Sequence, residues 1–291
     1  MFISISISRE LKKLQARYVK LKKGKLSLLA LIDESEISEA VYNSNAIENS
    51  TLSLKETERI LLEMEVSRTL SLREAFEAKN LARVMEYLRN LLPSTPIDRE
   101  RILLLHQMLL GNIDDKIAGR FRQKGEYVRV GTHVAPAPET IEKRMAEILD
   151  DIENNLEEHP LDRITRFHLD FETLHPFIDG NGRMGRLILN RQLVQFGYPT
   201  LIIRNKEKHL YYQAFRDYHD KSNAKPMARL IARALKESFH KRLAYLEDKT
   251  IIPLTHYAKK HRKRAPAVLN AARRQNIPAF RERGVWKIGV E

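Results

Sequence analysis

Twelve consecutive residues, His175-Pro176-Phe177-Ile178-Asp179-Gly180-Asn181-Gly182-Arg183-Met184-Gly185-Arg186, bring together the types that chemistry on a phosphorylated substrate requires. At the start of a helix, Gly180, Asn181 and Gly182 present unpaired backbone N–H groups and the positive end of the helix dipole to an anion. Arg183 and Arg186 are three apart and share one side of that helix, where fork-shaped guanidinium groups match phosphate oxygens. Asp179 is a hard oxygen ligand of the kind that shares Mg²⁺ with phosphates, and His175 is a base suited to neutral pH. Together they read as a polyphosphate cradle beside a base, the equipment for transfer chemistry on a nucleotide. Singly, a His before Pro is more often structural and Gly-Asn-Gly is only a turn.

The elements that must position this stretch are two helices. Upstream, Ile164, Phe167, His168, Phe171 and Leu174 recur at helical spacing until Pro176 stops the run. Downstream, Leu187, Ile188, Leu189, Leu193, Val194 and Phe196 form a second apolar run ended by Gly197. Farther out, helices are expected over about 8–23, 35–48, 54–64, 72–92, 98–110, 138–157 and 227–247. Ser53 with Glu56 and Ser71 with Glu74 read as capping boxes, and Asp98 as a cap. Met1 to Ile7 alternates like a short strand. Tyr127 to Val130 and His133 to Ala135 read as a hairpin about Gly131-Thr132. His106 is assigned to the core or its rim.

Composition sets limits. With 291 residues, 43% of them hydrophobic, the chain can bury a large core. No apolar run approaches the roughly 20 residues of a membrane span, and the opening lacks a basic leader, so neither membrane insertion nor a signal peptide is expected. Cysteine is absent, which excludes disulfides and thiolate metal sites and fits a cytoplasmic protein. The net charge is +13, and residues 254–291 hold ten Lys and Arg against two Glu, or +8 of it. Such density suggests a nucleic-acid contact or a solvated tail.

The twelve residues closely resemble the signature of the Fic family, His-Pro-Phe-x-Asp/Glu-Gly-Asn-Gly-Arg-x-x-Arg, at every fixed position. The resemblance covers about residues 35–239 and implies an all-α fold, a helical bundle with a small hairpin flap. It implies an enzyme that transfers AMP from ATP to a Tyr, Ser or Thr hydroxyl of a target protein. In that role His175 would be the base and Asp179 the Mg²⁺ ligand. Gly180, Asn181 and Gly182 would seat the inner phosphates, Arg183 and Arg186 would bind the outer ones, and Phe177 would pack beneath the loop. Gly182 argues against the branch that has Lys there and transfers phosphate. Other relatives use UTP, GTP or a choline-bearing diphosphate, so the base stays open.

Ser44-Asn45-Ala46-Ile47-Glu48-Asn49 resembles the family's inhibitory pattern, Ser/Thr-x-x-x-Glu-Gly/Asn, placed here before the core. Glu48 is expected to pair bidentately with Arg186 and deny it to the nucleotide. In the alternative, Glu48 would orient a water that removes AMP from a modified protein. The flap, about 127–135, would take the target's backbone as an added strand, with His133 on its surface. Tyr211 and Tyr212 resemble the tyrosine-bearing segment after the signature and are candidates to line the base pocket, with core packing the equal alternative. The last residues resemble an excisionase-like winged helix-turn-helix. In it, Arg273 and Arg274 would face a DNA groove or phosphates, Arg281 and Arg283 would lie on the wing, and Trp286 would pack inside. The expected division is 1–95, including the inhibitory helix at about 35–49, then 96–249 for catalysis and 250–291 for the small domain. That last part would bind DNA, dock a target, or dock its own catalytic domain. Target and oligomeric state are not readable.

Overall fold

The structure, a computed structural model, describes residues 1–63, 71–130, 133–155 and 157–291. The expected helix end at Met64 and the hairpin turn Gly131-Thr132 lie outside the described residues.

The chain opens not as a strand but as helix α1 (Ile5–Leu21), because Ser4 Oγ accepts the Ile7 N–H at 3.3 Å and caps it. Of the alternating isoleucines Ile3 is buried and Ile5 is exposed. The backbone N–H groups of Phe2 and Ile3 donate to the carboxylate of buried Asp162, at 2.9 and 3.1 Å. Helix α2 (Leu26–Ile47) starts well before Ser35, since Leu29 and Ile32 are already in the core. A reciprocal Ser53–Glu56 box opens α3 (Leu54–Glu58), which widens into a π-turn at Arg59–Glu63. The second expected box does not form. Helix α4 (Leu72–Asn90) begins without a bond to Ser71, because Glu74 instead accepts from Ser50 Oγ at 2.9 Å and Thr51 N at 2.6 Å. Asp98 caps α5 (Arg99–Leu110) through the Arg101 N–H at 2.8 Å.

A two-residue ladder, β1 (Arg129–Val130) with β2 (His133–Val134), forms the hairpin. Then come α6 (Ile141–Asn154), α7 (Pro160–Leu174), α8 (Asn181–Gln195), α9 (Lys208–Lys221) and α10 (Lys225–Leu246). Helix α7 is the wedge between two apolar clusters. Ile164 and Leu169 pack with Leu11, Ile231 and Phe239, while Phe167, Phe171 and Leu174 pack with Leu81, Ile102 and Leu105. Fully burying such side chains stabilises by roughly 1.5–3 kcal/mol each, so the end of α7, where His175 sits, is held from both sides. Among the described residues no helix is long and apolar enough to cross a membrane.

The chain finishes as β3 (Thr250–Pro253), α11 (Leu254–Lys260), α12 (Ala265–Arg273), β4 (Ala279–Glu282) and β5 (Val285–Val290). The antiparallel order is β3-β5-β4. Strand β3 escaped the sequence reading because it exists only through pairing with β5, Thr250 opposite Val290. A core of Leu254, Ala258, Val268, Ala272, Ala279 and Ile288 is too small to stand alone. It leans on α10 and α2. Tyr245 donates its O–H to Glu282 at 2.6 Å, and the N–H groups of Arg283 and Gly284 donate to Glu39 of α2 at 3.1 and 2.9 Å.

Candidate active site

The loop between α7 and α8 is braced from within. Phe177 N–H donates to Asn181 Oδ1 at 2.9 Å and Asn181 Nδ2 returns to Phe177 O at 2.8 Å. The Asn181 side chain is therefore engaged within the loop, and the residue also borders the cleft. Its backbone is another matter. The first helical bond is Met184 N–H to Gly180 C=O, so the N–H groups of Asn181, Gly182 and Arg183 precede the ladder. Gly180 sits at φ +82°, a conformation that favours glycine. Phe177 is buried beneath, stacked on His106 with ring centres 3.7 Å apart. Gly119 N–H donates to His106 Nδ1, so Nε2 carries the proton and donates to Asp179 O at 3.0 Å.

His175 closes α7 with φ +48°. The buried guanidinium of Arg122 fixes this corner, donating to the carbonyls of His175 (2.8 Å), Glu126 (2.9 Å), Pro136 (3.0 Å) and Leu174 (3.3 Å). One residue thus ties the end of α7 to the base of the hairpin. His175 Nδ1 faces the Glu172 carbonyl at 3.2 Å. A carbonyl only accepts, so Nδ1 bears the hydrogen and Nε2 keeps its lone pair. Burial pushes this imidazole down to about 4, against the raising effect of the Glu172 carbonyl, so it is a free base at neutral pH.

Arg186 is buried and occupied. Its Nε donates to Ser44 Oγ at 3.0 Å, its Nη2 to Ser44 O at 2.9 Å, and Nη2 also stands 2.9 Å from Glu48 Oε1. The expected bidentate pair is corrected by this geometry: the fork grips Ser44, and a single oxygen of Glu48 joins it. The same oxygen lies against Gly182, where any Cβ would collide with it. Burial opposes the charge of Arg186, yet Glu48, Tyr211 and Glu172 raise its pKa above the ordinary value. Tyr212 O–H donates to Ile47 O at 3.0 Å and Lys208 Nζ to Asn49 Oδ1 at 2.7 Å, so α9 clasps the end of α2.

Asp179 is also engaged. Arg73 Nη2, from the first turn of α4, reaches its Oδ2 at 2.6 Å, and Arg183 Nη2 its Oδ1 at 3.2 Å. Glu77 joins Arg73 at 3.1 Å and Arg183 at 3.4 Å. Among the described residues no group of three or more His, Cys, Asp or Glu could hold a metal. A lone carboxylate suits magnesium that arrives on phosphates and keeps much of its water, not a protein-made cage.

His175, Asp179, Gly182, Arg183, Arg186 and Glu48 line a cleft of about 650 Å³, within the range of small-molecule sites. Tyr211 is 1% exposed with its hydroxyl 2.8 Å from His168 Nε2, so it belongs to the core as well as to the cleft wall. His133 is not a free surface residue: its Nε2 meets Thr173 O at 2.9 Å and its ring abuts His219. The hairpin's outer side chains, Tyr127, Val130 and Val134, are exposed. At the C-terminus Arg273 and Arg274 are exposed. Arg281 is not, since it pairs with Glu237 at 2.6 Å and covers Trp286 at 4.7 Å. Arg283 is exposed and pairs with Glu58 at 3.2 Å, on a turn that docks against α2 instead of projecting as a free wing. Arg73, Glu77, Arg122 and Glu172 were missed, because each reads locally as a charge on a solvated helix face or loop.

Residues 96–193, which contain this loop and its two helices, match the Fic/DOC family. The chain carries a Fic/DOC domain. The protein adenylyltransferase Fic of Nematostella vectensis is 33% identical over 237 residues, 80% of this chain and 54% of that protein. The protein of the same name from Drosophila willistoni is 32% identical over 195 residues, 66% and 39% of the two chains. The chain thus spans about half the length, or less, of these curated relatives. Among solved structures a Fic-1 fragment from C. elegans superposes with TM-score 0.72 at 28% identity, over 82% of this chain and 70% of that one. A Fic family protein from Desulfovibrio desulfuricans G20 superposes with TM-score 0.69 at 21% identity, over 100% of this chain and 97% of that one. That second likeness is one of fold, and it extends past the Fic/DOC domain to the C-terminal unit.

Proposed function

We propose that the chain is a protein adenylyltransferase, moving AMP from ATP to a Tyr, Ser or Thr hydroxyl of a target protein, and that the end of α2 restrains it. The observation that carries the reading is the hold of Ser44 and Glu48 on Arg186, beside unpaired helix N–H groups and a neutral histidine. Glu48 places a carboxylate against Gly182 and Arg186, where an anionic ligand would otherwise lie. The name shared by the relatives supports AMP as the group transferred.

In this mechanism the target's hydroxyl gives its proton to His175 Nε2 as its oxygen attacks the α phosphorus. The bond to the β-phosphate oxygen breaks and pyrophosphate leaves. The N–H groups of Asn181, Gly182 and Arg183 and the guanidinium of Arg186 face the developing charge. Mg²⁺, when bound, would be held by Asp179 and would neutralise the phosphates. The base contributes about 10²- to 10⁴-fold. Mass spectrometry of target lysate after incubation with ATP and Mg²⁺ tests the reading: AMP adducts that are weak for the wild type, strong for Glu48→Gly and absent for Glu48→Gly/His175→Ala support it. No adduct with Glu48→Gly counts against it, and loss of AMP from a modified protein by the wild type alone would favour removal over transfer.

A nucleic-acid contact is supported by a separate observation. Residues 249–281 contain no Asp or Glu, and Lys259, Lys260, Arg262, Lys263, Arg264, Arg273 and Arg274 are all exposed. Helix α12 in this winged-helix-like order would be the groove element. Salt-sensitive binding of duplex DNA by the full chain tests it, and none at low salt rejects it.

A further inference from the structure

Glu172 enters the site so far through its carbonyl and its effect on Arg186, and the residue also lines the cleft. Its carboxyl rests against Gly185, where any Cβ would collide with Oε1, so the absence of a side chain in α8 makes the space it fills. Oε1 is buried and has no hydrogen-bond partner, and neither has Nη1 of Arg186. Leaving a buried polar group unsatisfied costs roughly 1–3 kcal/mol. Here two such groups, one on a carboxyl and one on a guanidinium, border one cleft.

We propose that Glu172, as a carboxylic acid, donates its O–H to the terminal phosphate of the nucleoside triphosphate and shares that phosphate with Arg186. This rests on the nucleotide reading above and adds a residue to it. Burial, reinforced by Glu48 and opposed by Arg186, holds the carboxyl up at about 8, so it keeps its proton at neutral pH. The groups that face it are Arg186 from α8, Glu48 at the end of α2, His168 on its own helix, and Tyr211 and Tyr212 from α9. Burial drives His168 down to about 3, and it lifts Tyr212 to about 12 and Tyr211 well above its usual value. None of these three titrates between pH 7 and 9. Above pH 8 Glu172 ionises and its charge opposes the phosphate.

The test is calorimetric binding of β,γ-imido ATP to the Glu48→Gly chain at pH 7 and pH 9. Affinity should fall at least about ten-fold between them, the linkage expected when only the protonated acid binds and the loss of Glu48 brings its pKa below about 8. The fall should shrink below about two-fold for ADP, which lacks the terminal phosphate. It should also shrink in Glu48→Gly/Glu172→Gln, whose amide donates at every pH. An equal fall with ADP or with the Gln variant overturns the inference and leaves the nucleotide reading standing. No binding of the analogue by Glu48→Gly at pH 7 overturns both. The ADP comparison uses unaltered Glu172 and decides the matter even if the Gln variant folds poorly.

Discussion

Glu48 Oε1 stands 2.9 Å from Arg186 Nη2 and against the backbone of Gly182, so one carboxylate occupies both a guanidinium and the start of α8. Ser44 holds the same guanidinium through its hydroxyl and its carbonyl. The Arg186 guanidinium is therefore held by two residues one helical turn apart.

Ser44→Ala removes the hydroxyl and leaves the carbonyl. A hydrogen bond to a charged group contributes about 1.5–3 kcal/mol. AMP transfer by Ser44→Ala should lie between that of wild type and Glu48→Gly, measured as initial rate with ATP. A rate equal to wild type would mean that Ser44 only packs.

Arg73 is half-exposed and sits on the carboxylate that magnesium would need. Arg73→Ala in the Glu48→Gly background should lower, by several-fold, the Mg²⁺ concentration at which ATP binding reaches half its maximum. A higher requirement would instead assign Arg73 to the phosphates.

Three buried imidazoles make the fold sensitive to acid. Burial depresses His106 and His175 to about 4 and His168 to about 3, all below the ordinary value near 6.5. Each is neutral when folded and protonates more readily when unfolded. Their contribution is present above pH 6.5 and is lost as pH falls toward 4, on the order of 3 kcal/mol for His106. Thermal melts at pH 7 and pH 5 should show a clear drop in Tm, smaller in His106→Gln if that variant folds. The rate of Glu48→Gly, in turn, should show no acid limb near pH 6.5; a limb there would place His175 in a more open setting.

The exposed basic face makes a quantitative demand. If Arg273 and Arg274 each neutralise a DNA phosphate, Arg273→Ala/Arg274→Ala should reduce the slope of log affinity against log salt by about 2. Arg281→Ala should lower Tm by loosening Glu237 and leave that slope unchanged. The reverse pattern would return Arg281 to the DNA-facing side.

What was legible in the sequence was local. The helix pair around Pro176, the Asp98 cap, the Ser53–Glu56 box and the hairpin follow from spacing and from what a proline, a glycine or a capping side chain does to its neighbours. The Ser44 and Glu48 contact with Arg186 was reachable only through a motif, since 142 residues separate Ser44 from Arg186. Arg122 and Glu172 were not reachable. Nothing within a few residues of Arg122 shows that the carbonyls of Pro136, Leu174 and His175 will join that of Glu126 around it. Glu172 reads as a solvated helix charge until α8 brings Gly185 against it. Strand β3 failed for the same reason: two isoleucines become a strand only when β5 lies beside them.

The grip of Glu39 has a consequence in the order of synthesis. This carboxylate belongs to α2, the helix that carries Ser44 and ends at Glu48, yet two of its donors are the backbone N–H groups of Arg283 and Gly284. As the chain leaves the ribosome, the loop from His175 to Arg186 is complete roughly a hundred residues before those two donors exist, and at about 5–20 residues per second that is an interval of several seconds or more. In each newly made molecule these two anchors of α2 therefore form only after the loop from His175 to Arg186 has been made.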